Sequence, residues 1–200
     1  IAISLKAQAG YDSWGRSMLD AVFQTASYIS TTGFGQADNS SWPLIANAIL
    51  LFAAFHCGCA GSTTGGIKAD RMYISLKAIH GDFQKRLHPN SLFRTKIGGR
   101  IIDEETVSSV FLYIVLYFFV LFISFIAVLI CGLDISSAFS GTLASLGNVG
   151  PGIGALGTMG NYSAIPEVAK FIFTLDMFLG RVEIFPILIA ISMIGKRKSL

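Results

Sequence analysis

The chain has 200 residues, 52% of them apolar and 14% charged, with 21 glycines and 16 phenylalanines and a mean hydropathy of +0.62. That balance excludes an ordinary soluble domain. The formal net charge of +3 is modest, and the basic residues flank apolar segments without any recognisable binding module, which excludes a nucleic-acid-binding function.

No basic stretch, short apolar core and cleavage site opens the chain, so no signal peptide is read there. The text begins at Ile1 in mid-segment, and a missing N-terminal part is expected. Ser17 to Ile29 is predicted as a short helix. Ser17 would cap it, Asp20 would sit near its positive end, and Met18, Ala21, Val22, Thr25 and Ala26 recur at helical spacing. Too short to span, it reads as a re-entrant half-helix whose negative C-terminal end favours a cation in the turn beyond Ser30. That turn is Ile29-Ser30-Thr31-Thr32-Gly33-Phe34-Gly35. Irregular backbone is tolerated at membrane depth only beside protein or a water-filled path, where carbonyls can replace a cation's hydration shell. Potassium-channel filters do this with Thr-Val-Gly-Tyr-Gly. Thr31-Thr32-Gly33-Phe34-Gly35 keeps that order, with Thr in place of Val and an aromatic after the first Gly.

Gln36 to Ser41 is polar, Trp42 is an interfacial aromatic, and Pro43 suits the first turn of a helix. The apolar helix from Pro43 then meets Gly58-Cys59-Ala60-Gly61-Ser62-Thr63-Thr64-Gly65-Gly66-Ile67-Lys68. Each glycine weakens a helix by about 1 kcal/mol relative to Ala, so the span is expected to break here and line the conduit. Close helix packing through small residues accounts for Gly58 and Gly61 but not for the Ser62-Thr63-Thr64-Gly65-Gly66 run. A phosphate loop is excluded because Gly66 is followed by Ile67 rather than Lys and no nucleotide-fold strand precedes it.

Asp70 to Arg100 is amphipathic and basic, with Met72, Ile74, Leu76 and Ile79 able to lie against the membrane or a partner. His80-Gly81 is read as the end of its first part and His88-Pro89-Asn90 as a turn. Lys68, Arg71, Lys77, Lys85, Arg86, Arg94, Lys96 and Arg100 share this region, and Lys196-Arg197-Lys198 lies near the chain's end. The positive-inside rule puts both on the cytoplasmic side. Asp103-Glu104-Glu105-Thr106 supplies an acidic first turn for Val107 to Cys131. That run carries no charge and is long enough to cross about 30 Å of hydrocarbon, emerging outside. Cys57, Cys59 and Cys131 are read as free thiols at helix contacts; a Cys-x-Cys pair beside His56 is no convincing zinc set.

A shift of 117 positions carries the first pore-like segment onto a second. Ala21 meets Ala138, Thr25 meets Thr142, and Thr31-Thr32-Gly33-Phe34-Gly35 meets Asn148-Val149-Gly150-Pro151-Gly152. A spanning helix opened by proline follows each turn, from Pro43 and from Pro166. The repeating unit is helix, pore helix, filter, helix. Two turns do not close a ring, which needs about four around one axis. Arg181, within the apolar run Phe171 to Met193, costs about 2.5 kcal/mol or more unless it faces a polar interior. It is read either as a charge beside the ion path or as an Arg paired with carboxylates to hold helices together. Glu183 points to another helix face and is a poor direct partner.

Ser30 to Phe34, Gly58 to Lys68, Asn148 to Pro151 and Met177-Phe178-Leu179-Gly180-Arg181-Val182-Glu183-Ile184-Phe185 together resemble the Trk/Ktr/HKT superfamily of potassium transport proteins, and its bacterial TrkH branch most. The resemblance implies an all-α membrane protein of tandem helix, re-entrant pore loop, helix repeats, of which this chain carries the third, without its first helix, and the fourth. Residues 1–80 would be the third-repeat pore helix, filter and broken helix, 81–105 a basic cytoplasmic connector, and 106–200 the fourth repeat. The main-chain carbonyls of Thr31, Thr32, Gly33, Phe34, Asn148, Val149, Gly150 and Pro151 would bind K⁺, the transported ion, with the side chains of Phe34 and Pro151 bracing the loops. Gly58, Gly61, Ser62, Thr63, Thr64, Gly65 and Gly66 would form an intramembrane gate, with Arg181 as the pore arginine. The implied partners are membrane lipid, the missing first and second repeats, a second copy in a homodimer, and a cytosolic TrkA-type nucleotide-binding ring facing the basic segment. The implied location is the cytoplasmic (inner) membrane, and no cofactor is expected in this chain. Pro186 departs from the pattern, and a kink of the last helix below Arg181 is expected from it. The alternatives are the translocating subunit of a potassium-pumping ATPase and a non-conducting membrane scaffold. An enzyme is not expected, since no nucleophile, base and orienter set appears.

Overall fold

The computed structural model describes residues 1–11, 13–88 and 96–182. Expectations resting on Pro89-Asn90, Arg94, Glu183, Pro186 and Lys196-Arg197-Lys198 lie outside the described residues. Within them the helices are α1 (Ala2–Gln8), α2 (Trp14–Ile29), α3 (Leu44–Phe55), α4 (Ala69–Leu87), α5 (Glu104–Ile130), α6 (Ile135–Leu146) and α7 (Glu167–Val182). A small antiparallel hairpin, β1 (Lys96–Ile97) and β2 (Arg100–Ile101), sets Lys96 opposite Ile101 between α4 and α5.

Helix α2 begins earlier than its sequence implies. Ser13 is the cap, its hydroxyl accepting the Gly15 N–H at 3.2 Å. Ser17 lies one turn inside, fully buried, and donates to the Ala2 carbonyl at 2.7 Å. Asp20 is also buried and receives the Tyr11 hydroxyl and the Arg16 guanidinium, each at 3.1 Å. Both polar residues tie α2 to the segment before it, a tertiary demand that helical periodicity does not carry.

Helix α3 starts at Pro43, whose carbonyl accepts the N–H groups of Ala46 and Asn47 at 2.9 and 3.2 Å. It stops at Phe55, at the edge of the glycine-rich run, and helical structure resumes at Ala69. The Ile67 N–H bonds the Phe55 carbonyl at 3.2 Å and the Ala69 N–H bonds the Gly58 carbonyl at 3.0 Å. The ends of the break are thus stitched together, so the residues between α3 and α4 form an out-and-back loop. Helix α4 then runs unbroken through His80-Gly81, contrary to the expected end there. A single glycine costs about 1 kcal/mol, less than the packing of α4 on α5 supplies: Ser75 and Ala78 are buried, and the Arg71 guanidinium lies 3.8 Å from the centre of the Tyr113 ring.

Among the described residues α5 is the helix long and apolar enough to cross a membrane. Tyr113, Tyr117, Leu121, Ser124 and Val128 form its buried stripe, while Val115, Phe119, Phe122 and Ile126 face outward. Apolar residues on both faces suit a helix with protein on one side and lipid on the other. The buried stripe packs with Ile67 from the broken segment and with Leu143 and Leu146 of α6. A second cluster joins α2 and α3 around Tyr28 and Leu50 and includes Val149. A third holds α6 to α7 through Ala138 and Phe173. Helices α5 and α7 are also linked by a buried hydrogen bond, Ser124 hydroxyl to Asp176 carboxyl at 2.6 Å.

Candidate functional site

Helices α2 and α6 each end in a turn of the same construction. After α2, the N–H of Ser30 bonds Ala26 (2.9 Å), Thr31 bonds Tyr28 (3.2 Å), and Thr32 and Gly33 both reach the Ser27 carbonyl (3.0 and 3.5 Å). After α6, Gly147 bonds Leu143 (2.8 Å), Asn148 bonds Ser145 (3.0 Å), and Val149 and Gly150 both reach Ala144 (2.9 and 3.4 Å). Each bond of one set maps onto the other by the offset that superposes Gly33 on Gly150. The backbone signs agree too: φ is positive at Thr31 (52°) and Gly33 (76°), and at Asn148 (55°) and Gly150 (102°). Alternating φ turns successive carbonyls toward one side of the chain rather than opposite sides. The two turns also meet: a Cβ added to Gly33 would collide with the Val149 carbonyl and lie 3.2 Å from Pro151 Cδ.

Not every carbonyl in these turns is equally free. Phe34 accepts the Ser27 hydroxyl at 2.8 Å, and Gly150 accepts the Tyr162 hydroxyl at 2.6 Å. Each oxygen keeps a second lone pair. The Phe34 ring is 69% exposed among the described residues, and Val149 is buried with its side chain in the α2–α3 core.

The interrupted segment lies against both turns. The Gly58 N–H donates to the Ile29 carbonyl at 3.3 Å, at the end of α2. A Cβ on Gly65 would sit 2.5 Å from the Gly147 carbonyl and 2.9 Å from Asn148 Nδ2, at the end of α6. Within the loop the hydroxyls of Ser62 and Thr64 share a hydrogen bond at 2.5 Å, and Tyr113 donates to the Gly66 carbonyl at 3.4 Å. Gly61 and Thr63 are exposed, while Gly65 and Gly66 are buried. Arg181, on the last described turn of α7, donates a hydrogen bond from Nη1 to the Thr63 carbonyl. A cavity lined by Ser62, Thr63, Thr64, Lys68 and Arg181 opens beside that contact. Among the described residues the guanidinium's partner is a loop carbonyl.

The structure thus brings the two predicted turns, the Gly58–Gly66 loop and Arg181 next to one another. Missed were Ser27, Tyr28, Asn39 and Tyr162, which bind the turns from outside. Ser27 could have been found, since it aligns with Ala144 in the repeat; the other three carry no signal in spacing or composition. Outside the spans, burial pushes the Tyr162 phenol up to about 12, so it stays protonated and able to donate at neutral pH.

Two half-helices that end in paired glycine turns, with an interrupted apolar helix against them, define an all-α membrane protein of the pore-loop class. The family model described as TrkH, cation transport protein, matches residues 11–199. The Trk system potassium uptake protein TrkH of Salmonella typhimurium is 35% identical over 179 residues, covering 90% of this chain and 37% of the relative. The Trk system potassium uptake protein TrkG of Escherichia coli is 33% identical over 184 residues, covering 91% and 37% respectively. The crystal structure of the potassium transporter TrkH from Vibrio parahaemolyticus superposes with a TM-score of 0.85 at 32% identity, over 94% of this chain and 40% of that one. This chain belongs to the TrkH family of cation transport proteins, and it spans well under half the length of these relatives.

Proposed function

We propose that the protein takes up potassium across the cytoplasmic membrane through a filter lined by main-chain carbonyls. The observation that carries this reading is the pair of turns after α2 and α6, identical in hydrogen bonding and φ alternation and in contact at Gly33 and Val149. Carbonyls of Thr31, Thr32, Gly33 and Phe34 from one repeat, and of Asn148, Val149, Gly150 and Pro151 from the other, would replace part of the K⁺ hydration shell. The negative ends of α2 and α6 point at the same place and favour a cation there. The first and second repeats, in the rest of the protein, would complete the ring.

The loop from Gly58 to Gly66 acts as the gate. Its N–H at Gly58 and its close approach at Gly65 hold it against both turns, and the Arg181 bond to Thr63 latches it in the closed state while adding positive charge to the cation path. The basic face of α4 and the connector beyond it lie on the cytoplasmic side, where a TrkA-type nucleotide-binding ring would dock, and the protein works as a homodimer. Its activity is transport, with K⁺ as cargo rather than cofactor.

The test is flux into vesicles carrying the full-length protein, with Rb⁺ standing in for K⁺. Rb⁺ should enter faster than Na⁺ by about tenfold, which requires about 1.4 kcal/mol of discrimination. Equal permeation of the two ions would sink the selectivity claim, and no flux of either would favour a non-conducting scaffold.

A further inference from the structure

Asn39 lies in the polar stretch after the third-repeat turn, yet it is fully buried. Its side-chain nitrogen donates to the Gly152 carbonyl at 3.0 Å and to the Tyr28 hydroxyl at 3.2 Å. Its side-chain oxygen accepts the Thr158 N–H at 3.0 Å. The amide orientation is fixed, because a backbone N–H can only donate and a carbonyl can only accept. Its own N–H donates to the Thr158 hydroxyl at 3.2 Å, and that hydroxyl donates onward to the Ala37 carbonyl at 2.6 Å. The Asn39 carbonyl accepts the Asn47 amide at 3.0 Å from α3. Tyr28 completes the set by donating to the Gly152 carbonyl at 3.2 Å.

These bonds join particular places. Tyr28 is on the last turn of α2, just before Thr31, and Gly152 directly follows Pro151 at the exit of the second turn. Thr158 belongs to the stretch from Gly150 to Pro166, which is longer than its counterpart from Gly33 to Pro43. Thr158, in this longer stretch, is one of the residues that grip Asn39. Packing allows little slack: a Cβ on Gly157 would sit 2.5 Å from Asn39 Oδ1, and one on Gly35 would sit 2.6 Å from Thr158 Cβ.

We infer that Asn39 is a positioning residue that fixes the spacing between the third- and fourth-repeat turns, and through that spacing the choice among alkali cations. The inference rests on the proposal that the two turns are parts of a potassium filter. Discrimination between K⁺ and Na⁺ needs carbonyls held at set separation and number, whether by cavity size or by the field of the dipoles. The Val149 carbonyl and Gly33 already touch, but a packing contact fixes separation less sharply than directional hydrogen bonds do, and the Asn39 cluster supplies those. Removing its amide leaves the Thr158 N–H without its side-chain acceptor and releases the Gly152 carbonyl from one of its two donors.

The test uses the full-length protein in vesicles, comparing Asn39→Ala, Thr158→Val and Thr158→Ser with the unaltered protein for Rb⁺ and Na⁺ flux and for thermal unfolding. Asn39→Ala and Thr158→Val should still conduct, with the Rb⁺/Na⁺ ratio reduced about fivefold, the factor expected for one net hydrogen bond. Thr158→Ser keeps the hydroxyl and should restore the ratio lost in Thr158→Val, which a change in stability alone would not do. If Asn39→Ala does not fold, the Thr158 pair decides the matter. Conducting variants with the unaltered ratio overturn the inference while leaving the filter reading intact. An unaltered protein that conducts Rb⁺ and Na⁺ equally overturns the filter reading, and this inference with it.

Discussion

Among the described residues of this chain, the turn after α6 is more enclosed than the turn after α2. Nine of the 12 residues of α6 are buried, against six of the 16 in α2. Around the fourth-repeat turn three backbones come close enough to demand glycine: α3 packs Ala54 against Gly147, the interrupted loop brings Gly65, and α7 brings Gly180, where a Cβ would strike the Leu146 carbonyl. The third-repeat turn relies on hydrogen bonds, chiefly Ser27 to the Phe34 carbonyl and the Asn39 cluster, and on close approaches to the fourth-repeat segment at Gly33 and Gly35. One backbone path is thus held in two ways, by packing in one repeat and by hydrogen bonds with a cross-repeat contact in the other. If the two turns line one filter as proposed, the fourth-repeat turn is the more tightly packed of its walls.

That contrast is most exposed by alanine at the two aligned glycines of the full-length protein. Gly33→Ala suffers left-handed backbone strain and a collision with the Val149 carbonyl, and should cost about 3–5 kcal/mol and abolish Rb⁺ uptake. Gly150→Ala meets no atom within 4 Å among the described residues and should cost chiefly the backbone strain, about 1–2 kcal/mol, with a smaller loss of uptake than Gly33→Ala. Thermal unfolding and Rb⁺ flux measure both; equal losses would mean that contact between the turns contributes nothing.

A smaller effect separates two glycines of the loop. Gly65→Ala places a Cβ against the Gly147 backbone, which cannot give way as a side chain would. It should cost about 1–3 kcal/mol and raise the Rb⁺ leak of the closed protein by displacing the loop. Gly61→Ala has a positive φ but open space around it, and should leave the leak unchanged. Leak rates that rise alike in both variants would point to general loosening of the loop.

The smallest difference is in acid. Helix α6 is capped by Asp134, whose carboxylate accepts the Ser136 hydroxyl and the Ser137 N–H; these bonds hold its carboxyl down at about 2. Helix α2 is capped by the neutral hydroxyl of Ser13. An unfolded Asp titrates near about 3.9, so the stabilisation from Asp134 is fully present above that pH and is lost as pH falls through about 2. Asp134→Asn should flatten this part of the Tm-against-pH curve, whereas Ser13→Ala should lower Tm by a similar amount at every pH. The group is exposed, so the expected shift is a few degrees at most.

Much of this assembly was legible in sequence because backbone geometry leaves a mark there. Positive φ and close approach select glycine, and Gly33, Gly65, Gly66 and Gly150 stand out for that reason. The repeat was visible because Gly33 and Gly150 keep register. Helix α5 was legible from an uncharged run, and its acidic first turn from Glu104 and Glu105. What failed to show was tertiary: Ser17 resembles a cap until α1 is seen to bury it, Gly81 resembles a helix end until α5 supports it, and β1 and β2 are too short to leave a pattern. Asn39 sits among Gln36, Asp38, Ser40 and Ser41, and nothing in composition separates a buried hub from exposed loop residues.

The most direct measurement is the position of Rb⁺ in crystals of the full-length protein, located by anomalous scattering. The expected result is density on a common axis facing the carbonyls of Thr32 and Val149, above the loop from Gly58 to Gly66. Rb⁺ bound elsewhere in the protein with none at these carbonyls would contradict the filter.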